Sequence, residues 1–231
     1  MTAYPLDSLA PSVPPAARFL PLRPPDVLSS EAYERIRPRY LRLMTELRRH
    51  RRVRIAPEVV LLFESRETVL AQIHEVLRVD GHTPEHVERE LSQYDCLVPR
   101  PGELRATAMI DGGSRSRGRA LATALRRPGA VTLSVDGIRC DSQLAAPGDD
   151  DDDPVQYLRF GVELGFTSAL RRRDAAVGIT THLPPCMRLT FAAPSLRDQL
   201  RDQLGAPPPR TLLHTLAACP WMLTLPETTP S

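Results

Sequence analysis

The sequence predicts a single α+β domain in which helices pack on a mostly antiparallel mixed sheet, flanked by disordered termini. Three observations favour this fold class. The 231 residues suffice for one core, strand and helix patterns follow in no regular βαβ order, and prolines crowd both ends of the chain. We therefore divide the chain into a Pro-rich flexible arm (1–25), an α+β domain (26–205) and a Pro-rich tail (206–231).

Cap residues and prolines set the boundaries of the predicted helices. Pro38 disfavours helical geometry in the residue before it, so we expect a short helix before Pro38 and a second one that begins with it. Ser65 caps the most regular amphipathic helix, 65–79, and Thr83 followed by Pro84 marks the start of another. The later predicted helices are 117–125, 167–172 and 195–204.

Short aliphatic runs bounded by turn residues predict the strands. In the run 155–162, Tyr157 and Arg159 lie on one face, and Leu158 and Phe160 lie on the other. The five aspartates before it predict a solvated loop. The predicted strands are 52–55, 58–63, 104–110, 131–135, a short one near 138, 155–162, 175–181 and 187–191.

The basic residues are all arginine. The chain has 30 of them and neither lysine nor asparagine. Without lysine, Schiff-base chemistry, a P-loop and a catalytic lysine base are excluded. Arginine-driven binding of phosphate or carboxylate is one interpretation of this bias. We favour a GC-rich genome, because it explains both absences together.

Charge and cysteine usage indicate the compartment. The net charge of +2 predicts no strong attraction to nucleic acid or to a membrane surface. Four cysteines without a CxxC pair fit reduced thiols in the cytoplasm, where we expect the protein. No apolar run reaches the about 18 residues that a membrane helix needs, so we expect no membrane partner.

A cluster of histidines raises the question of a metal. His74, His82, His86 and Cys96 lie close in sequence, and residues four apart share one face of a helix. However, His82 precedes the expected cap at Thr83, which favours exposed histidines beside a helix start. We therefore expect neither a metal site nor a cofactor.

Polar side chains beside the apolar stripe of helix 65–79 define the candidate site. Carboxylates next to arginines suit acid–base chemistry, and they equally suit a structural ion-pair network. The candidate pocket or interface residues are Tyr33, Arg37, Glu64, Arg66, Glu67, Gln72, Glu75, Arg78, Tyr157 and Arg159.

The stretch 35–54 holds nine arginines, the pattern of a basic nucleic-acid patch. Aromatic residues that could stack on bases make up only 5% of the chain. We therefore favour a solvated arginine face and expect no nucleic-acid partner.

Several segments, taken in order, match a known pattern: 30–38 (SEAYERIRP), 60–69 (VLLFESRETV), 72–79 (QIHEVLRV), 90–91 with 94, 97–99 (LVP), 103–107 (ELRAT), 157–160 (YLRF) and 177–179 (VGI). By these segments, residues 26–205 resemble the uncharacterised bacterial domain-of-unknown-function family 3501. The resemblance implies a redox setting, because members look like companions of rubrerythrin-type diiron proteins and iron–sulfur oxidoreductases.

The leading hypothesis is a non-catalytic accessory protein whose partner is such a rubrerythrin-type or iron–sulfur oxidoreductase protein. Its contact surface would be helix 65–79 together with strand 157–160. One alternative is an enzyme whose Arg/Glu-lined pocket gathers the candidate residues. A second is a module that binds nucleic acid through 39–54.

Overall fold

The computed structural model describes residues 19–146, 153–172, 174–184 and 187–192, together with Leu200 and Leu204. The predicted helix 195–204 falls outside these residues except for those two leucines. Most of the arm, the tail and the aspartate run also lie outside them.

Five helices and eight strands alternate irregularly along the described chain. The helices are α1 (Ser30–Arg51), α2 (Arg66–Asp80), α3 (Pro84–Tyr94), α4 (Arg115–Leu125) and α5 (Leu164–Leu170). The strands are β1 (Arg52–Ala56), β2 (Val59–Phe63), β3 (Glu103–Ile110), β4 (Val131–Val135), β5 (Ile138–Leu144), β6 (Val155–Gly161), β7 (Val177–Leu183) and β8 (Met187–Ala192). Short 3₁₀ turns occupy Pro24–Asp26 and Asp95–Leu97.

The strands form one sheet in the order β1-β2-β3-β6-β5-β4-β7-β8. Each pair of neighbours is antiparallel. The sheet curls, because β1 at one edge contacts β7 and β8 at the other. The predicted α+β domain with a mostly antiparallel sheet is thus confirmed.

The two faces of the sheet carry different layers. The concave face encloses the main core, where Phe63, Leu104 and Phe160 pack with α4, α5 and Leu200. Across the convex face lie α1, α2 and α3, whose apolar stripes form two smaller clusters. The candidate site therefore belongs to the helical, convex side.

Local signals account for most element boundaries. The Ser65 side chain accepts from the Thr68 backbone N–H and begins α2, and Thr83 begins α3 with Pro84 in its first turn. Asp136 and Gly137 both have positive φ, 49° and 85°, as a tight hairpin between β4 and β5 requires. The α2 and α3 starts and the Gly137 turn are confirmed predictions.

Pro38 does not divide the first helix, so the prediction of two helices is wrong. Instead, α1 runs unbroken through it. Proline removes the hydrogen bond to the Glu34 carbonyl, but both residues are exposed, so water can replace that bond. Packing of Tyr33 on one side and of Met44 and Leu47 on the other holds both halves in line.

Smaller shifts affect the later elements. Ser114 caps α4, which starts two residues before the prediction because the serine accepts from the Arg117 backbone N–H. β7 starts and ends two residues later than expected, and α5 starts three residues earlier. Among the described helices, none has the length and apolar character to cross a bilayer.

Candidate functional site

The contact between α1 and α2 brings four predicted residues together. Tyr33 donates its hydroxyl hydrogen to Glu75 Oε1 at 2.6 Å. Arg37 donates from Nε to Oε1 and from Nη2 to Oε2 of the same carboxylate, both at 2.8 Å. Arg78 donates from Nε to Glu34 Oε1 at 2.6 Å. We call Tyr33, Glu34, Arg37, His74, Glu75 and Arg78 the α1–α2 seam.

Helical spacing explains this arrangement. Tyr33 and Arg37 are four apart on α1, while Glu75 and Arg78 are three apart on α2, so each pair lies on one helix face. Packing of the two apolar stripes then sets these faces against each other.

His74 lies at the centre of the seam. Its ring stacks on Tyr33 with 4.7 Å between centroids and 12° between planes. Nε2 accepts from the Leu28 backbone N–H at 3.0 Å, which assigns the ring hydrogen to Nδ1. His82 Nε2 lies 2.8 Å from the Leu28 carbonyl oxygen. Two histidines thus hold the peptide groups of one residue that precedes α1.

The pKa values of three side chains in the seam, Glu75, His74 and Tyr33, are shifted away from neutrality. The hydrogen bonds of Arg37 lower the pKa of Glu75 to about 2. Burial lowers the pKa of His74 to about 4. Burial, with the Glu75 hydrogen bond, raises the pKa of Tyr33. At neutral pH, each of these three side chains therefore keeps one protonation state.

Space in the seam is small. A cavity of about 70 Å³ is lined by Leu28, Tyr33, His74 and His82 among others. That volume holds about two waters, each taking about 30 Å³ of liquid.

Glu64 is buried where β2 meets α2. It accepts from the Thr107 hydroxyl at 2.6 Å and from the Thr68 hydroxyl. Burial raises the pKa of Glu64, while those hydrogen bonds and the charges of Arg48 and Arg51 oppose the rise. Its role here is to join the sheet to the start of α2.

Neighbouring candidates on α2 point elsewhere. Arg66 pairs with Asp26 at 2.6 Å and so anchors the segment before α1. Glu67 lies near Tyr40 and adds to the rise of that hydroxyl's pKa, which burial mainly causes. Gln72 is exposed and faces Tyr94 on α3.

Tyr157 and Arg159 lie on the convex face of β6, as predicted. Tyr157 packs on the α2–α3 cluster, and burial raises its pKa to about 12. Arg159 pairs with Glu103 at 3.4 Å and donates to the Gln143 side-chain oxygen.

The ten candidates therefore occupy four places and not one cleft. Four lie in the α1–α2 seam, three at the start of α2, and two on β6; Gln72 lies between α2 and α3. Sequence reasoning missed Glu34, His74, Thr68 and Thr107 as their partners. Helical spacing could have indicated the places of Glu34 and His74, and the spacing of Thr68 from Ser65 is that of a capping box. Thr107 could not be found in this way, because it reaches Glu64 through strand pairing.

The arginine-rich stretch is only partly a surface. Arg51 is buried at the end of α1, and Arg48 donates from Nη2 to the Thr68 carbonyl at 3.4 Å. Arg48 thus serves the contact of α1 with α2, and Arg51 is withdrawn from the surface, which reduces the patch available to a nucleic acid.

His86 and Cys96 make contacts separate from those of His74 and His82 with Leu28. His86 Nδ1 lies 3.0 Å from the Gly81 carbonyl oxygen, and the Cys96 thiol donates to the Gln93 carbonyl. In the part of the chain that the structure describes, no three His, Cys, Asp or Glu side chains could hold one metal ion.

Comparison with known proteins adds a family but no activity. Among curated proteins, none matches the chain. One similar solved structure is a novel protein of unknown function from Burkholderia pseudomallei K96243, with a TM-score of 0.72 and 25% identity, covering 80% of this chain and 100% of that one. Residues 21–204 match DUF3501, a protein family of unknown function. The chain belongs to that family.

Proposed function

We propose that this protein is a non-catalytic accessory protein that binds a protein partner through the convex side of its sheet. One observation carries the proposal. The carboxylates and guanidinium groups of the α1–α2 seam are engaged by contacts within the chain, since Glu75 receives hydrogen bonds from Tyr33 and Arg37 and Glu34 pairs with Arg78. Side chains that are hydrogen-bonded to each other in this way hold α1 against α2, so the outer surface of these helices has a fixed shape.

Acid–base catalysis by the seam is disfavoured on energetic grounds. A catalytic acid or base works best when its pKa lies near the operating pH. The pKa values of Glu75, about 2, and His74, about 4, lie well below that range, and that of Tyr33 is raised above its usual value. Glu75 therefore holds a proton too weakly, and Tyr33 too strongly, to exchange it at neutral pH.

The binding surface proposed is a ridge formed by Gln72, Tyr94, Tyr157 and Arg159. Tyr94 and Tyr157 are both half-buried and pack on the same apolar cluster, which leaves part of each ring at the surface. Tyrosine and arginine are enriched in protein interfaces, where they supply much of the binding energy. The ridge thus joins the two predicted binding elements, α2 and β6, through α3.

For the partner, we propose a rubrerythrin-type or iron–sulfur oxidoreductase protein. Support comes from the sequence resemblance, which implies that members of the family accompany rubrerythrin-type diiron proteins and iron–sulfur oxidoreductases. That association gives a setting and not a mechanism.

The test is affinity purification from the native host at native expression level, followed by mass spectrometry. Wild type is compared with Tyr157→Ala/Arg159→Ala and with the matched control Leu164→Ala, whose residue is 88% exposed on α5. We expect an iron–sulfur or diiron protein that is recovered with wild type and control and lost with the double variant. If no redox protein is recovered, the proposed redox partner is wrong. If the double variant recovers the same partners as wild type, the proposed binding surface is wrong.

A further inference from the structure

A second cavity lies away from the α1–α2 seam, where β5 and β6 separate. The two strands pair only over three positions, Ser142 with Phe160 through Leu144 with Leu158. β5 nevertheless extends back to Ile138, where it stays paired with β4. The gap that opens holds a cavity of about 280 Å³, close to the lower end of small-molecule sites, which starts at about 300 Å³.

Both signs of charge line this β5–β6 cavity. Arg139 and Arg159 face it together with Asp141 and Glu163, so the formal charges of its walls cancel. A lining of this kind favours a ligand that itself carries both charges, because a pure anion or cation would meet repulsion as well as attraction.

Two of these four groups are already engaged. Arg159 is held by Glu103 and Gln143, and Asp141 Oδ1 accepts from the Thr132 hydroxyl at 2.6 Å. Arg139 and Glu163 differ, since the side chain of neither forms a hydrogen bond or ion pair with a residue in the described ranges; the contacts of Glu163 with Thr167 are made by its backbone carbonyl. They are the two groups available to a ligand, one a cation and the other an anion.

The rest of the lining is apolar or neutral. Phe166 closes one side as part of the main core, and Ile138 is 39% exposed beside it. The Cys140 thiol donates to the Gly161 carbonyl at 3.0 Å, and burial raises the pKa of Cys140 to about 11, which keeps it protonated. An apolar body can therefore lie beside Phe166 and Ile138 while charged ends reach Arg139 and Glu163.

From this arrangement we infer that the β5–β6 cavity binds a small zwitterion with an apolar body, such as a free aliphatic α-amino acid. Its carboxylate pairs with Arg139, and its ammonium pairs with Glu163. A sphere of 280 Å³ is about 8 Å across, which is enough for one amino acid. The inference does not depend on the partner surface proposed above.

The first experiment titrates the full chain with L-leucine, followed by isothermal calorimetry or NMR. Two analogues each lack one charge: leucinamide has no carboxylate, and N-acetyl-L-leucine has no ammonium. We expect L-leucine to bind and each analogue to bind about tenfold to a hundredfold more weakly, because a hydrogen bond to a charged group contributes about 1.5–3 kcal/mol. Equal binding of all three, or no binding of leucine, overturns the inference.

Variants then locate the site. Arg139→Gln should weaken leucine but leave leucinamide unchanged, and Glu163→Gln should weaken leucine but leave N-acetyl-leucine unchanged. Since both side chains are exposed, both variants should fold. The opposite cross-pattern, or leucine binding unaffected by either change, contradicts the assignment.

A steric variant gives an independent check. A Cβ at Gly161 meets no atom within 4 Å, and φ at this position is not positive, so Gly161→Val fits the strand and fills the cavity. The matched control is Gly118→Leu on α4, where the added Cβ also meets no atom within 4 Å but lies outside the cavity lining. Leucine binding should be lost in the first and kept in the second; retention in Gly161→Val overturns the site.

Discussion

On the helical side of the sheet, Glu75 is held by two donors and Arg78 by Glu34, whereas at the β5–β6 cavity Arg139 and Glu163 have no such partners among the described residues. Both regions bring together arginines and carboxylates that are distant in the sequence. The difference shows that the presence of charge is a poor guide to function, and that the number of partners already supplied by the chain is a better one. Satisfied charges stabilise the fold, and spare charges are available to ligands.

The largest effect on stability is expected when a buried charged group that has hydrogen-bond partners is removed. Glu64→Ala should lower the free energy of unfolding by about 3 kcal/mol, because the buried hydroxyls of Thr107 and Thr68 lose their acceptor and Arg48 and Arg51 lose a nearby carboxyl group. Urea unfolding measures the loss.

Glu64→Gln is the matched control for that change. It keeps the shape and one acceptor oxygen, so it should cost less than half as much. If Glu64→Ala lies within about 1 kcal/mol of wild type, the buried contact is not structural.

Acid should next weaken the seam through His74. Its pKa is about 4 in the fold and about 6.5 in the unfolded chain, so the unfolded state binds more protons between these values. Stability is then complete above about pH 6.5 and falls by about 3 kcal/mol as the pH drops to about 4.

The measurement is urea unfolding at a series of pH values for wild type and His74→Gln. Glutamine can still accept from Leu28 but does not titrate, so the loss between pH 6.5 and 4 should nearly disappear. A further loss below pH 4.5 should remain in both proteins, since the pKa of Glu75 is lowered to about 2. An unchanged slope in His74→Gln would show that another group titrates.

A smaller effect is expected at the Tyr33 hydroxyl. Tyr33→Phe removes one hydrogen bond to a carboxylate and should cost about 1 kcal/mol, since the pair is only partly buried. The pKa of Glu75 should rise from about 2, which NMR titration of its side chain detects.

Tyr40→Phe serves as control for this change, because the Tyr40 hydroxyl makes no hydrogen bond within the described residues. It should leave stability and the Glu75 titration nearly unaltered. Equal effects of the two substitutions would argue against the hydrogen bond to Glu75.

The smallest effect is expected at the cavity. Arg139→Gln and Glu163→Gln should each change the free energy of unfolding by less than about 0.5 kcal/mol, because exposed side chains without partners contribute little. Thermal unfolding at neutral pH measures this. A loss of more than about 1 kcal/mol would mean that these charges also serve the fold and would remove the contrast between the two regions.

Local chemistry decided what could be predicted. Ser65 and Thr83 fix helix starts through their own side chains, and the spacing of Tyr33, Arg37, Glu75 and Arg78 places them on helix faces, so these features are readable from the sequence. Pro38 was misread because packing on both sides of it outweighs the missing hydrogen bond.

The β5–β6 cavity could not be predicted in the same way. It exists because two strands stop pairing beyond Ser142 and Phe160, and that depends on the pairing of β5 with β4. The residues next to Arg139 and Glu163 in the sequence do not indicate that these two side chains line the same cavity. Strand register, unlike helical spacing, is set by distant parts of the chain.

The curl of the sheet bears on how the chain folds. Thr107 on β3 lies opposite Tyr157 on β6, fifty positions onward, and β1 contacts β7 near the far end of the domain. The hairpins β1–β2 and β4–β5 are local and can form early, while the central β3–β6 pair must wait for a long loop to close. Because so many contacts join distant parts of the chain, we expect refolding over milliseconds to seconds. The late pairing of β3 with β6 completes the sheet surface on which α2 and α3 pack.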